Sequence, residues 1–285
     1  MRVLVAGSRG YCGKGIVWAL RQRGWQGVGV DLSDPDSEET GSGWHEIQAD
    51  ILDAEFLLKA MAGCQAVIDA VIYRPGDVRA GSGRKIHLPA GRGQFDLTNT
   101  LMFQVNVSGT LSLLEAARQA QVQQVVLLSS ARVVWDHFVG PDGKELSPEP
   151  GFRVDSGTPL KFSDQYGLSK YLQERLGAFY ASEFGLSVTI LRPWWVVDGE
   201  AGCNRYGQPL LQDTIPLSPA GMVDRVDLGE ACCLALLHPE FICEIFYPTA
   251  GPGCERYFDV QPLIEKLGWQ PKHTFPHLVK TYGPT

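Results

Sequence analysis

The residues best suited to chemistry are Tyr166 and Lys170, four positions apart in the run Tyr-Gly-Leu-Ser-Lys. A helix places residues i and i+4 on one face, so a phenol and an ammonium would lie side by side. A free phenol has a pKa of about 10, too high for a base at neutral pH, and a neighbouring lysine cation lowers it. Such a pair can take a proton from a substrate oxygen or return one. The alternative is a surface helix that carries the two residues by chance.

Composition limits the class of protein. The chain has 285 residues, of which 44% are hydrophobic and 20% charged, as in an ordinary soluble globular protein. The net charge of −7 argues against a nucleic-acid binder. No apolar run reaches the ~20 residues that span a bilayer, and the first residues lack a signal-peptide pattern, so no membrane partner is expected. Seven cysteines without a Cys-x-x-Cys pair favour a reducing cytoplasm and no metal site.

The N-terminal region has the residue order of a dinucleotide-binding unit. An apolar run at 2–6 leads into Gly7, Gly10 and Gly13, then into a patterned helix and a second strand that ends on Asp31. Glycines allow the backbone to come close to a pyrophosphate, and the start of the helix offers free N–H groups. The alternative is a tight turn of any α/β protein, but the acidic residue at this offset favours a cofactor site.

Asp31 also indicates which cofactor binds. Its carboxylate would accept hydrogen bonds from the adenosine ribose and would repel a 2′-phosphate, which predicts NAD, with NADP less favoured. Arg9 and Arg23 are nearby cations that would act in the opposite direction.

The Gly-x-x-Gly-x-x-Gly spacing resembles the extended branch of the short-chain dehydrogenase/reductase superfamily, the NAD-dependent epimerase/dehydratase family. Further matches continue the resemblance over nearly the whole chain. They are the Asn-Val-Ser-Gly-Thr-Leu-Ser-Leu-Leu-Glu-Ala-Ala run from Asn106, Ser-Ser-Ala at 129–131, Leu-Arg-Pro at 191–193 and Leu-Gly-Trp-Gln-Pro at 267–271.

This resemblance implies a fold: an α/β protein with a doubly wound parallel sheet (Rossmann) and a small C-terminal substrate lobe. Residues 1–192, with 223–246 returning to them, would form the NAD-binding domain, and 193–222 with 247–285 the lobe. Apolar runs predict strands at 45–49, 66–71 and 125–128, a helix at 54–61 and a helix that begins at Asn106. Family members often form homodimers through the helices that carry Asn106 and Tyr166.

The same resemblance assigns roles to residues. Ser130, next to Ala131, would hold the substrate oxygen that Tyr166 serves, and Asn106 would order the site unless it is only a helix cap. Asp50 and Ile51 match a pair that contacts adenine, whereas the run 69–72 departs from the family pattern. The expected cofactor-binding residues are Gly7, Gly10, Tyr11, Cys12, Gly13, Asp31, Asp50, Ile51, Ala70, Val71, Tyr166, Lys170, Pro193 and Trp194.

The expected substrate-binding residues are Arg132, Trp195, Arg205 and Arg225. Arg132 stands where the family usually has Thr, and the Asp-Glu pair of sugar-nucleotide 4,6-dehydratases is absent there, which argues against that reaction. One of Trp194 and Trp195 is expected to be buried and the other to line the cleft, although tandem tryptophans can equally fill a core.

Two further interpretations concern charged residues. Glu174 and Arg175, on the helix of Tyr166, are interpreted as surface charges. The glycine-rich segment 74–101 is either a cationic flap over an anionic substrate or a solvated insertion, and the two are about equally favoured. Its charged residues include Arg79, Arg84, Lys85, His87 and Arg92.

The predicted function is that of an NAD-dependent oxidoreductase acting on a hydroxyl or carbonyl of a sugar or small sugar-like substrate, with acidic substrates included in that class. The short lobe favours a compact enzyme of the uronate dehydrogenase kind. One alternative is a sugar or nucleotide-sugar epimerase, which returns the hydride to the other face of the same carbon. A dinucleotide-binding regulator without chemistry is the second, and the presence of both Tyr166 and Lys170 disfavours it.

Overall fold

The computed structural model describes residues 1–33, 43–74, 97–140, 146, 151–210 and 221–278. Its strands, in chain order, are β1 Arg2–Ala6, β2 Gln26–Asp31, β3 Trp44–Gln48, β4 Ala66–Asp69, β5 Gln124–Leu128, β6 Ser187–Leu191, β7 Trp195–Asp198, β8 Cys203–Asn204, β9 Met222–Asp224 and β10 Cys243–Phe246. Its α-helices are α1 Tyr11–Gln22, α2 Ala54–Ala60, α3 Leu97–Phe103, α4 Gly109–Gln119, α5 Gln165–Phe184, α6 Arg225–Ala235 and α7 Gln261–Leu267.

Seven strands form one parallel sheet in the order β10-β6-β5-β4-β1-β2-β3. Every residue of β5 and β6 is buried, as expected for a sheet that helices cover on both faces. The order reverses next to β1, which lies between β2 and β4, and ligands bind at the carboxyl ends of strands at such a point. The predicted α/β, doubly wound fold is confirmed.

Glycines let two helices touch on one face of the sheet. A Cβ on Gly15 of α1 would lie 2.2 Å from the carbonyl oxygen of Arg225, and one on Gly229 of α6 would lie 2.5 Å from the oxygen of Gly15. Any larger residue at either position would force α1 and α6 apart. This backbone contact fixes the start of α6, and with it Arg225, close to the start of α1.

The opposite face is covered by α2, α4 and α5. Leu57, Leu113 and Leu114 are fully buried there against the sheet residues. Each buried leucine contributes roughly 1.5–3 kcal/mol relative to an exposed one, so this packing holds α2 and α4 on the sheet. Tyr180 and Ala181 of α5 are buried in the same cluster.

The helix that carries Asn106 differs from the prediction, since it begins well before that residue. α3 runs into a π-helical turn, Gln104–Ser108, which continues directly into α4. Asn106 therefore lies inside a continuous helix, and the cap interpretation is wrong. π-helical turns within α-helices often occur at functional sites.

Glu174 was predicted to be a surface charge, and this is wrong. Its side chain is 0% exposed and accepts hydrogen bonds from Nε and Nη2 of Arg192, at 2.8 and 2.7 Å, and from the hydroxyl of Ser129. Because α5 packs against the sheet through polar as well as apolar residues, its buried face has no clear apolar stripe in the sequence. Arg175 is exposed, as predicted.

A second sheet has three strands, in the order β8-β7-β9, all of which come from the chain after residue 193. Val197, Met222, Phe275 and Leu278 form its buried cluster, with Trp195 packed against it. The domain boundaries given above stay a prediction. No α-helix among the described residues is long and apolar enough to cross a membrane.

Candidate active site

The glycine turn between β1 and α1 leaves no room for side chains. Gly7 has φ +76, and a Cβ there would lie 2.9 Å from the carbonyl carbon and oxygen of Ala70. A Cβ on Gly13 would lie 1.9 Å from the carbonyl oxygen of Gly7, so the helix start presses directly on the turn. The turn thus lies against Ala70 and Val71 at the end of β4, and the N–H groups at the start of α1 are available to a pyrophosphate.

Asp31, at the end of β2, is held by backbone and hydroxyl donors. Its Oδ2 accepts from the N–H of Arg9 at 3.1 Å, and its Oδ1 accepts from the N–H and hydroxyl of Ser33 at 3.0 and 2.7 Å. A carboxylate has about four acceptor positions, so one is left for a ribose hydroxyl. Arg23 instead forms an ion pair with Glu230 of α6, away from Asp31. The glycine turn and Asp31 together fit NAD.

The two residues predicted to contact adenine, Asp50 and Ile51, differ in burial. The side chain of Ile51 is buried against Gly109, where an added Cβ would lie 2.6 Å from its Cγ2. The carboxylate of Asp50 accepts the N–H of Leu52 at 3.0 Å and is half-buried. Ile51 thus belongs to the core, and its contact with adenine stays a prediction.

Tyr166 lies in the first turn of α5. The carboxylate of Asp164 caps that helix by accepting the N–H of Gly167 at 2.6 Å. Burial of the phenol opposes its ionisation, but the cations of Arg74 and Lys170 and hydrogen bonds with Arg74 and Ser130 outweigh it, so that the pKa of Tyr166 lies below its ordinary value. The sequence predicted this effect from Lys170 alone.

Lys170 is held from behind by a buried polar network. Its ammonium, 1% exposed, donates to the carbonyl of Leu128 at 2.7 Å and to Oε1 of Gln173 at 2.8 Å. The other end of the Gln173 amide donates to Asp69 Oδ2 at 3.0 Å and to Thr110 Oγ1 at 2.9 Å. The amide therefore turns its oxygen to the cation and its nitrogen to the carboxylate. Two of the three donors of Lys170 are used, and one is left for a ligand.

Asn106 connects the π-helical turn to the segment after β4 that leads to Arg74. Its Oδ1 accepts the N–H of Tyr73 at 2.8 Å, and its Nδ2 donates to the Tyr73 carbonyl at 3.1 Å and to the Ser169 hydroxyl at 3.1 Å. Asn106 therefore acts as a clamp on the backbone of residue 73 and joins it to α5.

Ser130 lies where the sequence predicts, at the carboxyl end of β5. Its side chain caps a 3₁₀ turn, Ala131–His137, by accepting the N–H of Arg132 at 3.2 Å, and it lies close enough to the phenol of Tyr166 to lower its pKa. The structure therefore brings Tyr166, Lys170 and Ser130 together. Asn106 hydrogen-bonds Ser169, the residue before Lys170.

Cations converge on Cys12 at the start of α1. Burial raises the pKa of the Cys12 thiol to about 11, against the opposing effect of Arg74, Arg205, Lys170 and Arg225. The three arginines belong to separate segments, and two of them, Arg205 and Arg225, were predicted as substrate-binding residues. Cys12 itself was predicted beside the cofactor, and its thiol lies in the positive field of these groups.

Tyr11 and Arg225 close the same cleft from the side of the small sheet. The Arg225 guanidinium forms an ion pair with Asp198 and lies 5.6 Å from the centre of the Tyr11 ring. The Tyr11 hydroxyl donates to the Cys203 carbonyl at 3.4 Å, and burial, followed by the charge of Asp198, raises its pKa. Tyr11 thus connects the glycine turn with the segment that carries Arg205.

Arg132 and the tandem tryptophans form a wall rather than free groups. Arg132 forms an ion pair with Asp164, the cap of α5, and stacks on Trp135 at 4.3 Å. Trp194 stacks on Trp135 at 4.9 Å. Trp194, which follows the buried Pro193, and Trp195, which packs in the small sheet, are both half-buried. The expectation that one of the two tryptophans is buried is therefore wrong, and the expectation that the other lines the cleft stays a prediction, as do their ligand contacts.

Sequence reasoning missed Arg74, Asp69 and Gln173 as site residues. Gln173 had a usable signal, because it follows Lys170 by three positions and therefore shares its helix face. Asp69 was noted only as a departure from the family pattern. Arg79, Arg84, Lys85, His87 and Arg92 lie outside the described residues, so the flap that they would form stays a prediction.

Comparisons with known proteins show what this chain is similar to. A UDP-glucose 4-epimerase of Erwinia amylovora is 28% identical over 275 residues, which cover 93% of this chain and 72% of that protein. An L-arabinose 1-dehydrogenase (NAD(P)(+)) of Haloferax volcanii is 25% identical over 200 residues, 70% of this chain and 68% of that protein. The crystal structure of uronate dehydrogenase from Agrobacterium tumefaciens superposes with a TM-score of 0.68 and 21% identity, covering 100% of this chain and 90% of that one.

A family model described as the NAD dependent epimerase/dehydratase family matches residues 3–197, more than half of the chain. This match confirms the family that the glycine spacing and the Tyr166–Lys170 pair predicted, together with its NAD cofactor and its enzymatic type. The chain belongs to the NAD-dependent epimerase/dehydratase family of extended short-chain dehydrogenases/reductases.

Proposed function

We propose that the protein is an NAD-dependent dehydrogenase that oxidises a hydroxyl group of a small, sugar-like, acidic substrate. The observation that carries the proposal is the half-buried phenol of Tyr166, whose pKa is lowered against the effect of desolvation because Arg74, Lys170 and Ser130 lie close to it. A phenol in this setting is suited to take a proton from a substrate hydroxyl.

The residues divide the work as follows. Ser130 and Tyr166 hold the substrate oxygen, and Tyr166 takes its proton as the carbon–oxygen double bond forms. NAD, when bound, accepts the hydride that leaves the same carbon. Lys170 keeps the phenol acidic and offers its remaining N–H to the nicotinamide ribose. Asn106 holds the backbone beside them.

The cofactor would lie across the carboxyl ends of the strands, at the point beside β1 where the strand order reverses. Gly7, Gly10 and Gly13 leave space for the pyrophosphate, and Asp31 accepts from the ribose hydroxyl. Tyr11 and Cys12, the first residues of α1, supply N–H groups there.

Positive charge in the cleft supports an acidic substrate. Arg74, Arg205 and Arg225 approach Cys12 from three segments, and guanidinium groups bind carboxylates well. The likeness in fold to a uronate dehydrogenase and the partial sequence similarity to an L-arabinose dehydrogenase support a small sugar or sugar acid.

An absorbance assay tests this proposal. The purified protein is incubated with NAD and a panel of uronic acids, aldonic acids and neutral aldoses, and NADH is measured. We expect NADH to accumulate over many turnovers with acidic members. An equal response to acids and neutral sugars would contradict the acidic-substrate assignment.

Epimerisation is the second candidate, because the E. amylovora epimerase aligns over most of this chain. An epimerase regenerates its NAD in each turnover and therefore gives no lasting NADH signal. Native mass spectrometry that finds NAD retained, together with interconversion of two sugar nucleotides, would favour this candidate over the dehydrogenase.

We further propose a cytoplasmic homodimer that forms through α4 and α5. Phe179 and Phe184 of α5 are 53% and 49% exposed, and Leu111 of α4 is exposed nearby, which supports an apolar interface. All seven cysteines are free thiols, which supports a reducing compartment. Light scattering tests the dimer: we expect twice the chain mass, and a monomer mass for Phe179→Glu.

A further inference from the structure

Arg74 occupies the space directly in front of the proposed acid–base residue. Its guanidinium carbon lies 3.9 Å from the centre of the Tyr166 ring, and the group also hydrogen-bonds the phenol. Arg74 is half-buried at the end of the segment that follows β4. It therefore contacts the same oxygen that would receive the substrate proton.

The position of Arg74 is fixed by its neighbour in the chain. Asn106 grips both the N–H and the carbonyl of Tyr73, and Ser169 of α5 joins the same cluster. Ser169 in turn donates to the carbonyl of Tyr166 at 2.8 Å. Four hydrogen bonds thus connect residue 73 to the first turn of α5. Because they hold the backbone next to Arg74, the position of Arg74 beside Tyr166 does not depend on its own side chain alone.

A guanidinium has five N–H donors in one plane, and that of Arg74 lies against the face of the Tyr166 ring as well as near its oxygen. The cleft beyond it is positive, since Arg205, Arg225 and Lys170 act on the same neighbour, Cys12. An anion placed there would meet the planar fork of Arg74 with matching geometry, which is the usual reason for arginine at a carboxylate site.

We propose that Arg74 is a catalytic and specificity-determining residue: it holds the carboxylate of the substrate with one edge of its guanidinium and the Tyr166 hydroxyl with the other. The substrate class is therefore a hydroxy acid whose carboxylate lies within one guanidinium's width of the hydroxyl that is oxidised. This inference rests on the proposed function for its substrate, but not for the contact between Arg74 and Tyr166.

Titration of the phenol tests that contact without turnover. Tyrosinate absorbance is followed against pH in wild type, Arg74→Gln and Arg74→Lys, with Tyr166→Phe as the reference that lacks this phenol. Arg74→Gln should move the Tyr166 titration upward by roughly 1–3 pH units, because one adjacent cation is lost. Arg74→Lys should restore part of the shift. Arg118→Gln, at the far end of α4, makes the same charge change and should leave the titration of Tyr166 unchanged.

Substrate selection tests the carboxylate contact. We expect Arg74→Gln to lower the ratio of kcat/KM for a hydroxy acid to that for the matching neutral sugar by about 10- to 100-fold, since a charged hydrogen bond is lost. Arg74→Lys should recover only part of the ratio, because it lacks the planar fork. A phosphorylated sugar in the panel distinguishes a general anion site: if it is preferred to the carboxylate, the assigned substrate class is wrong.

The proposal is overturned if the Tyr166 titration is the same in Arg74→Gln and wild type, or if the acid-to-neutral ratio does not change. If no compound in the panel is oxidised, the proposed function fails, and calorimetry with gluconate and glucose on the NAD complex then decides the Arg74 contact. Weaker gluconate binding in Arg74→Gln, with circular dichroism unchanged, supports it, and equal binding overturns it.

Discussion

The two sides of Tyr166 are built differently. Behind it, Lys170, Gln173, Thr110 and Asp69 form a chain of hydrogen bonds on β4, α4 and α5, and each of these side chains is at most 1% exposed. In front of it, Arg74, Arg132, Arg205 and Arg225 come from loops or helix starts and are more exposed. In the proposed function, the rear network would support the proton transfer that any substrate of this type needs, whereas the front cations would select the substrate.

The largest expected effect is at the junction of the two sides. Tyr166→Phe should lower turnover by about 10²–10⁴-fold, the usual contribution of a general acid–base group, and leave NAD affinity unchanged. Steady-state kinetics measure turnover, and the change in protein fluorescence as NAD is added measures the affinity. Tyr171→Phe, one turn further along α5, is the matched control, and equal activity in both variants would refute the assignment.

Breaking the ion pair beside the rear network should affect stability most. Glu174→Gln leaves the buried Arg192 without its counter-charge and should lower the free energy of unfolding by about 3–5 kcal/mol, measured in denaturant. Glu244→Gln removes the exposed partner of Lys266 and should cost at most about 1 kcal/mol. Similar losses in both variants would show that Glu174 is not buried as described.

Asp69→Asn tests the rear network more gently. The amide keeps the size of the side chain but removes the charge that faces Gln173, so the free energy of unfolding should fall by about 1–3 kcal/mol. Because Lys170 would be held less firmly, kcat should fall while KM changes little. A rise in KM with kcat intact would place Asp69 on the substrate side instead.

The smallest effect is expected at the front. Arg205 is half-buried at the surface and contacts the hydroxyl of Tyr206, so Arg205→Gln should raise KM for an acidic substrate only a few-fold, as surface charges are worth at most about 1 kcal/mol. Raising the salt concentration should shrink the difference from wild type. Arg118→Gln serves as the control, and a fall in kcat for Arg205→Gln would contradict a role limited to binding.

The difference between the two sides also explains what the sequence could predict. Strands β1, β2 and β5 follow from continuous apolar runs, and the glycine turn follows from spacing, because these features are local. Glu174 was misjudged because its partner Arg192 is distant in sequence and a charged residue on a helix is usually exposed. Arg74 was missed because its place depends on a clamp, made by Asn106, that no local pattern shows.

Because the π-helical turn at Gln104–Ser108 contains Asn106, the number of residues in this turn determines where the Asn106 side chain lies. A π turn holds one residue more than an α turn, so deleting a single residue there would convert it to regular helix and rotate everything on its N-terminal side by about 100°. The residue that now faces Tyr73 would swing away, although every sheet strand would keep its register. A shortened chain of this kind would fold and accept its dinucleotide, yet lose the contact that holds Arg74 beside Tyr166.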